Sequence, residues 1–152
     1  MKTLANPKDK DEILRRLRAI SPASRRRWGK MSAHQMICHL SDAFRSGMGE
    51  KAVAPARSRI PRPLFRWIAL WFPLPWPHGV RAPREWDQAI GGTPPGKFED
   101  DLGELRRLLD RVTRQPKDFE RAPHPYFGRM TDAEWLRLGY RHLDHHLRQF
   151  GA

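Results

Sequence analysis

Cysteine is almost missing from this chain: Cys38 is the only one among 152 residues. A lone thiol excludes an intramolecular disulfide and every zinc motif built on paired cysteines. It is compatible with a reducing compartment. Strand-type alternation of apolar and polar residues occurs in no convincing run, which excludes a sheet-based fold. The opening stretch from Met1 to Lys10 has no apolar core of the kind a signal peptide needs. The longest apolar region, Pro63 to Pro77, is broken by prolines and too short to span a bilayer. A cytoplasmic location is expected from these absences. Acidic residues are also scarce, 17 against 29 Lys and Arg, giving a formal charge of +12 and a pI near 11.0. Such an excess invites nucleic acid or an anionic surface. The arginines are scattered along the chain, however, so neither nucleic acid nor a membrane is the expected partner.

What is present reads as helix. The length suits a single domain, residues 1–152, with enough chain to bury a core. Asn6-Pro7 offers an N-cap and a first-turn proline, and Ile13, Leu14, Leu17 and Ile20 follow at helical spacing. Ser32 with Gln35 is a capping-box pair and predicts a second helix from about Ala33 to Gly47. Its apolar face is Met36, Ile37, Leu40, Ala43 and Phe44, with His39 at the edge. His34 falls on the polar side and Cys38 points away from the apolar stripe. Gly49 to Arg62 reads as a loop, Pro63 to Trp71 as a short helix, and Arg81 to Pro95 as another loop. Phe98, Leu102, Leu105, Leu109 and Val112 mark a bundle helix from about Lys97 to Arg114, closed by Gln115-Pro116. Thr131 with Glu134 opens the last helix, whose inner face is Trp135, Leu136, Gly139, Leu143, Leu147 and Phe150. Arg137, Arg141, Asp144 and Arg148 fall on its outer side. The expected architecture is an all-α bundle of four main helices with a long irregular crossover. The aromatic and proline-rich part of that crossover, residues 63–77, is expected to supply core and pocket wall, with membrane contact as the alternative.

Three histidines fall on inward sectors: His39 from the second helix, and His142 with His146 from the last. The i, i+4 pair converges on one point a turn apart, and three neutral imidazoles with an open position suit zinc, nickel or iron. His145 is turned about 60° beyond His142, towards solvent. No Asp or Glu is expected at a comparable inward position, so paired-carboxylate chemistry is not suggested. Gly-x-Ser-x-Gly and His-Glu-x-x-His motifs are both missing. His124, in the loop before the ligand helix, is a candidate general base or outer partner of the metal. Equally, His124-Pro125 could only shape the turn.

Several stretches together resemble a known group. These are Trp28-Gly29-Lys30-Met31-Ser32 running into Ile37-Cys38-His39-Leu40, then His124-Pro125-Tyr126-Phe127-Gly128, then His142-Leu143-Asp144-His145-His146 through Gly151. The chain is similar to the DinB-like superfamily, and within it to an uncharacterised bacterial family. The resemblance implies a four-helix bundle, often dimeric, holding a divalent metal, zinc or nickel, on the positions of His39, His142 and His146. It also implies transfer of a low-molecular-weight thiol (bacillithiol, mycothiol or glutathione) onto a small electrophile. The expected partners are thus a small-molecule substrate and a second copy in a homodimer. The alternative is a non-catalytic bundle that binds a small ligand or nucleic acid.

Overall fold

A computed structural model describes all residues, 1–152. It contains five α-helices and no strand: α1 Pro7–Arg18, α2 Ala33–Gly47, α3 Arg62–Trp71, α4 Phe98–Thr113 and α5 Asp132–Gln149. No helix is long and apolar enough to cross a membrane. The helix starts follow from local chemistry. Asn6 accepts from the Lys8 amide, and both capping boxes, Ser32 with Gln35 and Thr131 with Glu134, are closed in each direction. α4 has no side-chain cap, but Glu99, Asp100 and Asp101 fill its first turn, where the helix dipole favours negative charge.

Four helices share the main core. Ile13 and Leu17 of α1, Met36, Ile37 and Leu40 of α2, Leu105 and Leu109 of α4, and Leu143 and Leu147 of α5 are all essentially inaccessible. Gly139 lets α5 come in close, since a Cβ there would lie 2.9 Å from Leu4 and 3.2 Å from the Phe44 ring. A second, smaller cluster joins Ala69 and Leu70 of α3 to Phe127, Trp135 and Leu138. α3 is thereby laid across α5 rather than inserted into the bundle.

Several expectations are corrected. α2 is buried on more than one side, because it packs against α4, α5 and the crossover. Cys38, expected to face away from the core, is therefore buried at 3% exposure. The chain does place a carboxylate inward: Asp42 is fully buried. It accepts from the Thr93 amide at 2.8 Å, the Thr93 hydroxyl at 2.6 Å and the Gln88 amide at 3.1 Å, and pairs with Lys51 at 2.9 Å. Those bonds pin the crossover to α2. The stretch expected to be loop from Arg81 to Pro95 contains a 3₁₀ turn, Arg84–Trp86, whose Trp86 is buried. Arg137, expected on the outer side of α5, is buried because α3 covers it, and its guanidinium donates to the Leu70 carbonyl.

Candidate metal centre

α2 and α5 bring His39, His142 and His146 together. The three ring centroids form a nearly equilateral triangle with sides of 4.9, 4.8 and 4.9 Å. Each ring offers one nitrogen to a common point, and those nitrogens lie within 4.8 Å of one another. His39 and His146 are buried and His142 is half-buried, so the open side of the site lies at His142.

The outer partners settle which nitrogens face inward. His39 Nδ1 lies 2.8 Å from the Trp86 carbonyl, so Nδ1 carries the proton and Nε2 a lone pair. His146 Nδ1 lies 2.8 Å from Gln149 Oε1, while the Gln149 amide nitrogen donates to the Trp28 carbonyl at 2.9 Å. A carbonyl can only accept, so the Gln149 amide has one orientation, and His146 must donate from Nδ1. Gly29 is part of this relay: its φ is +78°, and a Cβ there would lie 2.7 Å from the Gln149 amide nitrogen. The Trp28-Gly29 pair ahead of α2 thus serves a histidine on α5, at the other end of the chain.

His39 Nε2 and His142 Nε2 are 2.9 Å apart. Two lone pairs at that distance repel, so the contact requires a proton or a cation between them. Nitrogens around a tetrahedral zinc with Zn–N near 2.05 Å are about 3.3 Å apart, so shifts of roughly 1.5 Å or less would complete the site. Burial lowers the pKa of His39, and lowers those of His142 and His146 well below the usual histidine value; neighbouring imidazoles add to the depression for the latter two. All three are neutral at physiological pH, the form that binds metal. The residues fit a divalent cation.

Four aromatic groups stand on the open side. Trp76 lies 5.8 Å from His142 and 5.9 Å from His145, and Trp28 stacks on His78 at 4.0 Å. His145 also meets Trp28 at 5.8 Å and is half-buried. It contributes no nitrogen to the triad, as its face angle predicts. A cavity of about 30 Å³, bounded in part by His142, His124, Trp86 and Trp135, lies beside the centre.

His124 is not brought into the triad. Its Nδ1 accepts from the Tyr126 and Phe127 amides at 3.2 and 3.3 Å, and its ring stacks on Phe127 at 4.3 Å. The proton is therefore on Nε2, and burial lowers the pKa to about 3. Such a ring donates a hydrogen bond and is a poor base. Turn-shaping is the role its contacts account for: His124 and Gly128 close the loop through paired backbone bonds of 2.8 and 2.9 Å.

A further group, of mixed ligand type, is one that helical spacing on α2 alone does not reveal. His34 and Cys38 of α2 meet Asp101 of α4, with His34 Nε2 2.7 Å and the thiol sulfur 3.7 Å from one carboxylate oxygen. Burial, together with Asp101, raises the Cys38 pKa to about 12, so the thiol is protonated and unreactive.

With the geometry in hand, comparison with known proteins gives one match. The family model described as "Protein of unknown function (DUF1569)" matches residues 4–152. The chain belongs to the DUF1569 family. No curated protein and no solved structure matches it. The match spans α1 to α5, so all three histidines and the Trp28–Gln149 relay lie inside the DUF1569 region.

The relay makes a prediction. Gln149→Leu leaves His146 Nδ1 and the Trp28 carbonyl without partners, while the three imidazoles remain. Divalent-metal affinity is expected to fall about 10–100-fold, the usual effect of losing an outer partner, as read by competition with a chromophoric chelator.

Proposed function

We propose that this DUF1569 protein binds a divalent metal, zinc or nickel, through His39, His142 and His146, and uses it to transfer a low-molecular-weight thiol onto a small electrophile. One observation carries the metal part: three neutral imidazoles, two buried and one half-buried, face a common point, two of them with Nε2 bared by bonds from Nδ1 to fixed acceptors. The similarity of its motifs to the DinB-like superfamily supports the reaction part. A bound divalent ion supplies Lewis acidity that lowers the pKa of a coordinated thiol, so that thiolate is available at neutral pH.

The chain's own contribution is positional. The Trp86 and Gln149 bonds hold the two rings with Nε2 aimed at the common point, so that only small shifts are needed on binding. Trp76 and the Trp28–His78 stack flank the open side with apolar surface suited to a small electrophile. In the transfer the thiol S–H bond breaks and its proton passes to solvent, because no buried base stands ready to take it. The sulfur forms a bond to the electrophilic carbon, and a leaving group departs with its bonding electrons or, in an addition, the adduct is protonated by water.

The test uses metal-loaded protein with glutathione, mycothiol or bacillithiol and a chlorinated aromatic acceptor. Metal-dependent loss of free thiol, absent in His146→Ala, is expected. If metal-loaded protein accelerates transfer from none of the three thiols, the transferase reading fails and a non-catalytic metal-binding bundle takes its place.

A further inference from the structure

The crossover does not finish as core. The inner side of α3 is occupied: Phe65 meets Tyr126 and Phe127 at 5.8 and 5.1 Å, and Ala69 and Leu70 are buried against α5. Its outer side is not. Leu64, Trp67, Trp71, Phe72 and Leu74 are 50%, 52%, 41%, 40% and 60% exposed. Leu64, Trp67 and Trp71 recur at three and four residues, so a second apolar stripe faces solvent on a helix whose other stripe is already used, and Phe72 and Leu74 extend it just past the helix end. Such a contiguous exposed apolar patch marks a contact surface.

The charge around the patch is one-sided. Residues 51–84 contain seven Lys and Arg and no Asp or Glu. Two of the seven are in ion pairs, Lys51 with Asp42 and Arg66 with Glu134. The other five, Arg57, Arg59, Arg62, Arg81 and Arg84, are exposed and have none. More than half of the chain's net charge of +12 therefore falls in α3 and the segments that flank it along the chain.

We propose that the outer side of α3, with the arginine-bearing segments on either side of it, docks on the surface of an anionic lipid bilayer. Tryptophan and leucine side chains on a short helix parallel to the membrane enter the boundary between headgroups and acyl chains, while arginines meet anionic headgroups. A second copy of this chain is a poor occupant, since it would set five unpaired guanidinium groups against five more. Single-stranded nucleic acid is a poor one also. Leu64 and Leu74 have no ring to stack on a base, and one face of Trp71 is already covered by the Arg137 guanidinium at 4.5 Å.

The docking helix is rigidly tied to the histidine helix. Arg137 holds the Leu70 carbonyl, and Arg141, the residue before His142, holds the carbonyls of Phe72 and Leu74. Docking would therefore place the histidine centre close to the lipid surface, within reach of electrophiles that partition into it.

Co-sedimentation of the full chain with vesicles tests this. Phosphatidylcholine vesicles carrying roughly one-third phosphatidylserine are compared with phosphatidylcholine alone, between about 50 and 500 mM NaCl. Binding to the anionic vesicles with a blue shift of tryptophan emission is expected, weakening with salt. The partition coefficient should fall about fivefold for each of Arg57→Gln and Arg62→Gln. It should fall at least about tenfold for the double variant Trp67→Ser/Leu74→Ser, two exposed positions whose change leaves the core intact. Failure to bind anionic vesicles at the lowest salt overturns the proposal. So does binding that the Trp67→Ser/Leu74→Ser variant retains in full, which would be adsorption of a basic protein. Displacement from vesicles by single-stranded RNA at equal mass overturns it in favour of nucleic acid. A metal-free sample that still binds vesicles separates this surface from the fate of the metal centre.

Discussion

His142→Ala and His146→Ala each abolish metal-dependent stabilisation, whereas His145→Ala keeps it. A ligand present at a thousand times its Kd and bound only by the folded state adds about 4 kcal/mol. In a chain of this size each kcal/mol moves the melting temperature by about 2–4 °C, so zinc or nickel should raise it by roughly 8–16 °C. Two imidazoles remain in each triad variant, and the loss should exceed the 10–100-fold effect of removing an outer partner. A shift under about 2 °C is therefore expected for His142→Ala and His146→Ala. His145 faces Trp28, Trp76 and His78 rather than the common point, so its removal should leave most of the shift. Differential scanning fluorimetry with and without metal reads all four proteins. Were the three imidazoles only hydrogen-bonded to one another, the wild-type protein would not respond to metal either.

Mild acid destabilises the metal-free protein. His39, His124 and His146 are buried, and burial lowers the pKa of each below the ordinary 6.5, to about 3 for His124. Between those values the unfolded chain binds protons that the folded chain refuses, so stability falls as pH falls. It is fully present above about pH 6.5 and is lost at up to about 1.4 kcal/mol per pH unit for each such group. At pH 5 His124 alone removes about 2 kcal/mol, a large part of the stability of a small domain, and His39 and His146 add to the loss in the same direction. Urea titrations monitored by circular dichroism at pH 7.5, 6 and 5 should show the midpoint falling steeply. His124→Gln should reduce that slope by about one proton per molecule. A midpoint unchanged between pH 7.5 and 5 would contradict the burial of neutral imidazoles.

Helical spacing is enough to pick His39, His142 and His146 from seven histidines, because the second half of α5 has one buried stripe, with Leu143, His146 and Leu147, and the i, i+4 pair lies at its margin. The same arithmetic failed on α2. It assumes one buried face per helix, and α2 is covered by α4, α5 and the crossover, so Cys38 and Asp42 become buried on a side that reads as solvent. Arg137 departs from its expected outer position for the same reason, since α3 lies over it. The capping boxes at Ser32 and Thr131 placed two helix starts to the residue, being local chemistry. Trp86 and the Trp28 carbonyl could not be assigned to the centre beforehand. Each reaches its histidine from a segment far off in sequence, 47 residues away for Trp86 and His39. In 63–77 composition showed the aromatic patch, but not that its Trp67 side faces outward while its Phe65 side faces in.

The claim on which the rest depends is that this DUF1569 chain carries a metal on its three inward histidines. Elemental analysis of protein purified without a polyhistidine tag, reconstituted with zinc or nickel and freed of excess by gel filtration, tests it most directly. The account predicts close to one equivalent of metal per wild-type chain and close to none in His146→Ala. Wild-type protein that retains no first-row metal, or a variant that retains as much as wild type, would contradict it.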